Sequence, residues 1–457
     1  MTVFELNSKA REIIRHFKTT YINNKGFVAR NFPVRDTGIY CDFDDMVPFF
    51  LYFGEDEFIR QQILLSRQAT FNGLIVFNDK IVSWRNDEYL GALCAFYKKQ
   101  KNRELGEYIS CCYDNFKKYL MDAGHIYMFY DLKRKKRSRL YSTWAGGQIE
   151  VFLENSDIFP EWKAPALKTV DLWLDDYYFK RFGLFAFKSH PYSEFFNYIN
   201  GSWRINSPSF HDRVNSHFYY LSRDTLKSRL RESFFMSLVD LPTGFHFQFM
   251  KANTNFVFAL LTAYSLTRDD RYKKAIERWI TSVKTNLFRD GMIYGNYRLA
   301  NYNQAYTLTD NFVMIDILCD AYHFLEKNEA YLDFAKAIAD SWLKTRWKNG
   351  LFPVRPDALF DHIDDNIDFS IALRRISELT GDKNYSDIGF QCIESILKIH
   401  QQEDGYVTSV SREGQLPEAA VVDPKYNGLL LKGIISNLER DKAIYNDLEL
   451  HDLLKDR

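Results

Sequence analysis

The stretch Gly350-Leu-Phe-Pro-Val-Arg-Pro-Asp-Ala-Leu-Phe-Asp-His-Ile-Asp-Asp-Asn-Ile-Asp-Phe369 contains the order of features that decides the fold. It has a glycine, a short apolar strand, a loop, a cluster of acids and the start of an apolar helix. Asp364 and Asp368 are four residues apart, so they share one face if this part is helical. Like charges at that spacing repel unless they lie at a helix N-terminus, near a cation, or with one carboxyl protonated.

The same order recurs along the chain. Glycines followed by two to four strand-like residues occur at intervals of 47 to 61 residues. After each glycine come a loop, a polar residue that could cap a helix, an apolar helix, and then a more amphipathic helix. Repeats of this length indicate one supersecondary unit per period. The glycines that open these units are Gly26, Gly73, Gly124, Gly183, Gly244, Gly291, Gly350 and Gly405.

The two kinds of helix predict the architecture. Helices such as residues 312–325 and 367–379 are apolar nearly all round, which suits an inner ring, whereas residues 272–288 and 385–401 carry charges on one face and suit an outer ring. We therefore predict an all-α fold, an (α/α) toroid of about six to eight helical hairpins with short β-hairpin-like loops at one mouth. The first and last helices are expected to pair and close the ring. No linker divides the chain, which favours a single domain over residues 1–457.

Composition excludes several classes of protein. Lys and Arg together number 60, as do Asp and Glu, so the net charge gives no indication of a nucleic-acid or acidic membrane partner. The six cysteines include no Cys-x-x-Cys pair, which argues against zinc ribbons and disulfide frameworks. The chain has no apolar signal core and no run long enough to span a membrane, so we expect a soluble cytoplasmic protein. The oligomeric state is left open.

The repeat resembles that of the six-hairpin glycosidases, an alpha/alpha-toroid group that includes unsaturated glucuronyl hydrolases and N-acylglucosamine 2-epimerase-like proteins. The shared features are the glycine-aromatic strand, the acidic or amide residue before an inner helix, and a motif such as TGDKNYSDIG (residues 380–389) that opens the outer helix. The resemblance covers almost the whole chain and implies an enzyme that acts on a carbohydrate. The count differs, because about eight units occur here where that group has six.

Loop residues just before the inner helices are expected to converge on one mouth. They are acids, amides and aromatic side chains, which bond sugar hydroxyl groups and cover apolar sugar faces. The alternative for any single member is a simple helix cap. The predicted substrate-binding residues are Trp84, Arg85, Trp144, Gln148, His246, Asn255, Tyr306, Asp310, Asn311, Asp368, Tyr426 and Asn427.

Two clusters hold more carboxylates than capping requires. One spans residues 41–45 and the other residues 362–368. Glycoside hydrolysis needs one protonated and one ionised carboxyl group, so we expect one acid from each cluster to form the pair. A histidine or tyrosine base would instead suit a sugar epimerase or a lyase. The predicted catalytic residues are Asp44, Asp45, Asp364, Asp365 and His362.

Other interpretations remain open at this point. Residues 42–45 read Asp-x-Asp-Asp and residues 364–368 read Asp-Asp-x-x-Asp, which resemble motifs of terpene cyclases. A non-catalytic carbohydrate-binding protein would show the same pattern. No cofactor is predicted, and no metal, since no His-x-x-x-His or Glu-x-x-His spacing occurs. The basic run at residues 133–139 could attract an anionic sugar, or be a solvated loop.

Overall fold

A computed structural model of the chain describes residues 1–29, 32–34, 45–138, 142, 145–176, 178–179, 183–185, 187–188, 245–246, 254–294, 307–418, 420–440 and 442. Within these residues helices dominate, and none of them is long and apolar enough to cross a membrane. The helices are α1 (Val3–Thr19), α2 (Val47–Tyr52), α3 (Asp56–Gln68), α4 (Ser83–Gln100), α5 (Arg103–Leu120), α6 (Ala145–Glu154), α7 (Lys163–Asp176), α8 (Asn255–Thr267), α9 (Asp270–Asn286), α10 (Leu308–Phe324), α11 (Glu329–Leu343), α12 (Ile363–Thr380), α13 (Lys383–Ile399) and α14 (Pro424–Leu438).

The described strands are short and lie between the helices. They are β1 (Thr70–Phe71), β2 (Leu74–Phe77), β3 (Lys80–Val82), β4 (Met121–Asp122), β5 (His125–Ile126), β6 (Phe129–Asp131), β7 (Lys136–Arg137), β8 (Tyr178–Phe179), β9 (Leu184–Phe185), β10 (Phe187–Lys188), β11 (Phe245–His246), β12 (Phe288–Arg289), β13 (Met292–Ile293), β14 (Gln401–Gln402) and β15 (Gly405–Tyr406). Most form two-stranded antiparallel hairpins between an outer helix and the next inner helix.

Gly73, Gly124 and Gly291 each lie in the turn of such a hairpin, between its two strands. Helix α3 ends at Gln68, before strand β1. Asn72 and Gly73 then form the two-residue turn between β1 and β2. Both turn residues have positive φ, 51° for Asn72 and 77° for Gly73, as a type I′ turn requires. Gly73 therefore belongs to a hairpin turn, whereas Gly381 ends α12 in the left-handed conformation.

Inner and outer helices differ in burial as predicted. Helix α12 is buried on nearly all sides, including the polar residues Asn366 and Arg375. Its partner α13 buries one face, which carries Phe390, Ile393 and Leu397. Hydrophobic burial at about 25 cal/mol per Å² therefore favours an interior position for the first helix of a pair and a surface position for the second.

The inner helices begin earlier than the sequence predicts. Helix α12 starts at residue 363, although apolar periodicity indicated residue 367, and α14 starts at residue 424, although it indicated residue 426 or 429. The polar residues of the opening stretch are therefore inside the first turns of α12, not in a loop before it. The reason is a set of buried amides, described below, that lets polar residues begin a buried helix.

The described chain divides into two compact units. Unit 1 contains Met1–Val76, Arg85–Asn115 and Asn311–Arg457, and unit 2 contains Phe77–Trp84 and Phe116–Asp310. Within unit 1, α1 packs against α14 as expected for the first and last helices. Gly428 permits this close approach, because a Cβ atom there would meet the ring of Phe17 in α1 and the side chain of Met46. The single domain over the whole chain stays a prediction.

Within unit 2, helices α6 and α8 approach so closely that glycine is required at one position. A Cβ atom at Gly146 would overlap the main-chain carbonyl group of Asn255, whereas a Cβ atom at the adjacent Gly147 would meet no atom within 4 Å. The overlap involves main chain, so no side-chain rotation can relieve it. Gly146 therefore has no room for a side chain, whereas the neighbouring Gly147 in the same helix has room for one.

We expect Gly146→Ala to lower the free energy of unfolding by about 2–3 kcal/mol through overpacking. Gly147→Ala should raise it by about 0.5–1 kcal/mol, because alanine loses less conformational entropy than glycine in a helix. Thermal unfolding followed by circular dichroism measures both variants against the unsubstituted protein. A shift of the same sign in the two variants would contradict this account of the α6–α8 contact.

The described part of the basic run forms the end of the β6–β7 hairpin, where several of its residues pair with acids. Lys133 Nζ lies 2.5 Å from Asp79 Oδ2, and Arg137 pairs with Asp122 at 3.5 Å. Arg137 also donates to the main-chain carbonyl groups of Lys118 and Tyr119. Arg134 pairs with Asp131, and the side chains of Lys133 and Arg134 are each 75% exposed. Exposure and these surface ion pairs favour the solvated-loop interpretation over the attraction of an anionic sugar.

Candidate active site

A buried asparagine at the fourth position of an inner helix fixes the hairpin that precedes it. Asn366 accepts a hydrogen bond from the main-chain nitrogen of Phe352 at 2.8 Å and donates to the carbonyl oxygen of the same residue at 2.9 Å. It also donates to the carbonyl oxygen of His362 at 3.0 Å. Equivalent two-way bonds join Asn86 to Ile75 and Asn427 to Tyr406.

This amide position accounts for several residues predicted to bind substrate. Asn427 uses its amide group on the main chain of Tyr406 and Asp423, with bonds of 2.7 to 2.8 Å, so those contacts are structural. Asn311 and Gln148 occupy the same fourth position of α10 and α6 and are fully buried. Gln148 differs from the asparagines, because neither of its amide atoms has a hydrogen-bond partner among the residues that the structure describes.

Three aspartates line the first turns of α12. Asp364 and Asp365 are in its first turn, and Asp368 is one turn further along. All three are half-buried. The unpaired main-chain N–H groups of a helix N-terminus favour negative charge, which partly offsets the repulsion among these side chains.

Asp364 holds its proton at neutral pH. Its pKa is raised to about 8, chiefly by burial and then by the carboxylates of Asp368 and Asp365. The ammonium groups of Lys425 and Lys432 act in the opposite direction without cancelling the rise. A carboxyl group that is protonated at pH 7 beside two other carboxylates is the arrangement that general acid catalysis uses.

Two lysines of α14 connect the aspartates to the rest of the site. Lys432 Nζ lies 3.4 Å from Asp368 Oδ1. Lys425 Nζ lies 3.3 Å from Asp45 Oδ2, which brings an acid of the N-terminal cluster to the same helix. Because Lys425 also acts on the carboxyl group of Asp364, it joins the two acidic clusters that the sequence predicts to act together.

His362 and Tyr426 form the aromatic part of the site. Their rings contact edge to face, with centroids 4.8 Å apart and planes at 90°. Burial lowers the pKa of His362, so its imidazole is neutral at pH 7. Burial raises the pKa of Tyr426, and the neighbouring acids Asp364 and Asp423 add to the rise, so its hydroxyl group keeps its proton. No residue in the described ranges hydrogen-bonds to the His362 ring nitrogens.

A buried ion pair lies directly behind His362. The His400 Nε2 atom is 2.9 Å from Asp361 Oδ2, and both side chains are completely buried. His400 Nδ1 lies 2.8 Å from the carbonyl oxygen of Val407, and Asp361 Oδ1 accepts from the main-chain nitrogen of Val410 at 2.7 Å. Sequence reasoning missed this pair, because 39 residues separate its members and no motif links them.

The remaining predicted residues are distributed as follows. Asp310 and Thr307 form a reciprocal cap at the start of α10, with a bond of 2.7 Å between their side chains. Asp310 is therefore a helix cap in this structure, which was the alternative interpretation for it. Arg85 is buried at the start of α4, and Trp84 and Asn255 are half-buried. Asp44, Trp144 and Tyr306 lie outside the described residues, as does the side chain of His246.

The site therefore gathers His362, Asp364, Asp365, Asp368 and Tyr426 in unit 1, with Asp45 added through Lys425. The described ranges contain no group of three or more His, Cys, Asp or Glu side chains that could hold a metal ion. The chemistry that this set can perform is proton transfer, together with hydrogen bonding to hydroxyl groups and packing against an apolar ring face.

The chain matches no protein-family model, and no curated protein is similar to it in sequence. Solved structures do share its fold. An alpha-1,2-mannosidase from Trichoderma reesei is 12% identical with a TM-score of 0.60, over 94% of this chain and 92% of that one. A sugar epimerase from a ruminal bacterium is 11% identical with a TM-score of 0.57, over 97% and 100%. A cellobiose 2-epimerase from Bacillus thermoamylovorans is 12% identical with a TM-score of 0.56, over 95% and 98%. The chain thus has the alpha/alpha-toroid fold that its sequence predicts.

Proposed function

We propose that the chain is a carbohydrate-active enzyme, a glycoside hydrolase that acts on an oligosaccharide with Asp364 as its general acid. The observation that carries this proposal is the half-buried Asp364, whose pKa of about 8 keeps it protonated beside Asp365 and Asp368. A glycosidic oxygen must receive a proton as its bond breaks, and a carboxylic acid in such surroundings supplies one at neutral pH.

The candidates for the second carboxylate of the proposed reaction are Asp44, Asp45 and Asp365. Asp45 comes from the N-terminal cluster and is held by Lys425, so it could act opposite Asp364 as the sequence predicts. Asp365 neighbours Asp364 on a helix, where adjacent side chains point about 100° apart. That geometry favours Asp45, or Asp44 beside it, for the role of base or nucleophile. Tyr426 and His362 offer ring faces and edges against which a sugar can pack.

Turnover on a panel of neutral and acidic oligosaccharides tests the proposal. Purified protein is incubated with each compound, and released reducing ends and products are measured by chromatography. Hydrolysis by the natural protein, with loss in Asp364→Asn and in Asp45→Asn, is the expected result. Asp387→Asn is the matched control, because Asp387 is exposed on the outer helix α13. Equal hydrolysis by all four proteins would exclude Asp364 and Asp45 from catalysis.

A sugar epimerase is the second candidate, and His362 is the observation that favours it. A neutral, half-buried imidazole with unbonded ring nitrogens can remove a proton from a carbon next to a carbonyl group. The sugar epimerase and the cellobiose 2-epimerase described above share this fold. The same panel distinguishes the two activities. An epimerase converts a sugar into an isomer of equal mass and incorporates deuterium from heavy water, whereas a hydrolase releases two shorter sugars.

We expect Asp368→Asn to move the alkaline limb of the pH–rate profile to lower pH. The carboxylate of Asp368 is the larger of the two charges that raise the pKa of Asp364, so its removal lowers that pKa. An acid catalyst with a lower pKa loses its proton earlier as pH rises, so activity declines earlier. The midpoint of the limb, near pH 8 in the natural protein, should fall by about one unit. A midpoint that stays unchanged would show that the limb reports another group.

A further inference from the structure

The Asp361–His400 pair has a protonation pattern that its contacts determine. Both His400 ring nitrogens face acceptors, a carboxylate oxygen of Asp361 and the carbonyl oxygen of Val407. A neutral imidazole has one N–H group, so one further proton must lie between His400 and Asp361. Wherever that proton lies, the pair has no net charge and every one of these polar atoms is bonded. The arrangement therefore satisfies a completely buried histidine and a completely buried aspartate together.

The pair is fastened to the segment that carries His362. Asp361 bonds to Val410 through both its side chain, at 2.7 Å, and its main-chain nitrogen, at 3.1 Å. The main-chain nitrogen of Ile363 donates to the carbonyl oxygen of Thr408 at 2.9 Å. His362 is the residue between these two anchored neighbours. Its own carbonyl oxygen accepts from Asn366, so the main chain of His362 is fixed on both sides while its ring contacts Tyr426.

We propose that the buried Asp361–His400 pair positions His362 and the first turn of α12 for the chemistry of the site. Asp361 and His400 touch no substrate and are positioning residues, and their role in turnover rests on the proposed function. The pair holds the loop from which α12 begins, so its loss lets His362 move relative to Tyr426 and Asp364. A displacement of about 1 Å in a catalytic constellation costs up to about 10²-fold in rate.

Two variants separate this role from a contribution to stability alone. His400→Leu removes both ring nitrogens and leaves Asp361 buried without its partner, so the anchor is lost. Asp361→Asn keeps the shape and preserves the bonds, because its amide group can donate to Nε2 while His400 keeps its proton on Nδ1. Asp320→Ala is the matched control. Asp320, in α10, is an ion-pair partner of Arg375, which is buried in α12, so this variant also removes a buried polar contact of α12. Arg375 lies 13 residues from His362, about 20 Å along α12.

The first measurement is the nuclear Overhauser contact between the rings of His362 and Tyr426, recorded with protonated His and Tyr in a deuterated background. We expect the contact to be lost in His400→Leu and kept in Asp361→Asn and Asp320→Ala. The second measurement is steady-state kinetics on the best oligosaccharide of the panel. We expect kcat to fall by about tenfold in His400→Leu with KM within about twofold, and to recover in Asp361→Asn.

Retention of the ring contact and of kcat in His400→Leu, with a lower unfolding temperature alone, would overturn the proposal. A fall of kcat in Asp361→Asn as large as that in His400→Leu would also overturn the proposal. If His400→Leu does not fold, His400→Gln replaces it. Glutamine keeps one donor, so a smaller effect of the same sign is expected, and no effect would again overturn the proposal. Absence of turnover by the natural protein would refute the proposed function only, because the ring contact needs no substrate.

Discussion

Asp364→Asn is expected to lower kcat by about 10³-fold on the oligosaccharide that the protein hydrolyses fastest. Asparagine has the size of aspartate and cannot donate a proton to a leaving oxygen. KM should change little, because the lost interaction develops in the transition state. Initial rates over a range of substrate concentrations and of pH give both constants. The alkaline limb of the profile near pH 8, which reports the proton on Asp364, should disappear with the side chain.

Substrates with a good leaving group supply a sharper version of this test. An aryl glycoside whose phenol leaves without protonation needs less help from a general acid. Asp364→Asn should therefore lose far less activity on an aryl glycoside than on an oligosaccharide with the same sugar. Asp387→Asn controls for the loss of one surface charge. Equal losses on both kinds of substrate would assign Asp364 a role other than proton donation.

The substitution Asp364→Asn is also expected to stabilise the folded protein at neutral pH. The folded-state pKa of Asp364, about 8, lies above the value of about 3.9 for an unfolded aspartate. Between these two values the folded state binds more protons, so the contribution of this group to stability is present at low pH and is lost as pH rises through 8. Asparagine avoids that loss. The unfolding temperature of the variant should therefore exceed that of the natural protein by more at pH 9 than at pH 5.

Asn366→Ala is expected to give the largest loss of stability among these substitutions, about 3–4 kcal/mol. It leaves the main-chain N–H and carbonyl groups of Phe352 buried and unbonded, and it removes a donor from the carbonyl oxygen of His362. Because that carbonyl group belongs to the active-site segment, activity at 25 °C should fall as well. Thermal unfolding and kinetics measure the two effects on one preparation.

Asn384→Ala is the control for the loss of an asparagine side chain. Asn384 lies in the first turn of the outer helix α13, where its side chain is exposed. Its replacement should change the free energy of unfolding by less than about 0.5 kcal/mol. A comparable destabilisation by the two substitutions would mean that the buried amide of Asn366 has no special role in joining the hairpin to α12.

The fold could be predicted from the sequence because its signals are periodic. Apolar inner helices such as α12 and amphipathic outer helices such as α13 repeat at intervals that reveal the hairpin unit. The helix starts could not be predicted, because they depend on tertiary contacts. Asn86 follows the glycine of its unit by 13 residues, Asn366 by 16 and Asn427 by 22. Each is the fourth residue of its helix, but its distance from the glycine varies, so the sequence does not mark it.

The candidate site, like the fold, could be predicted from the sequence only in part. The surplus of carboxylates in residues 362–368 is visible in the sequence, and it marks the cluster around Asp364. Which acid keeps its proton depends on burial and on lysines from another helix, and local sequence encodes neither. The role of His400 depends on the same kind of long-range contact. Asn427, in contrast, has the composition of a sugar ligand and uses its amide group within the protein.

The packing of α1 against α14 also sets an order of events during synthesis. About 400 residues separate the end of α1 from the start of α14. At about 5–20 residues per second, a ribosome needs roughly 20–80 s to make them. During that time the apolar face of α1, with Leu6, Ile13 and Phe17, has been made while the helix that covers it has not. Unit 1 thus cannot bury this face of α1 against α14 until α14 has been synthesised.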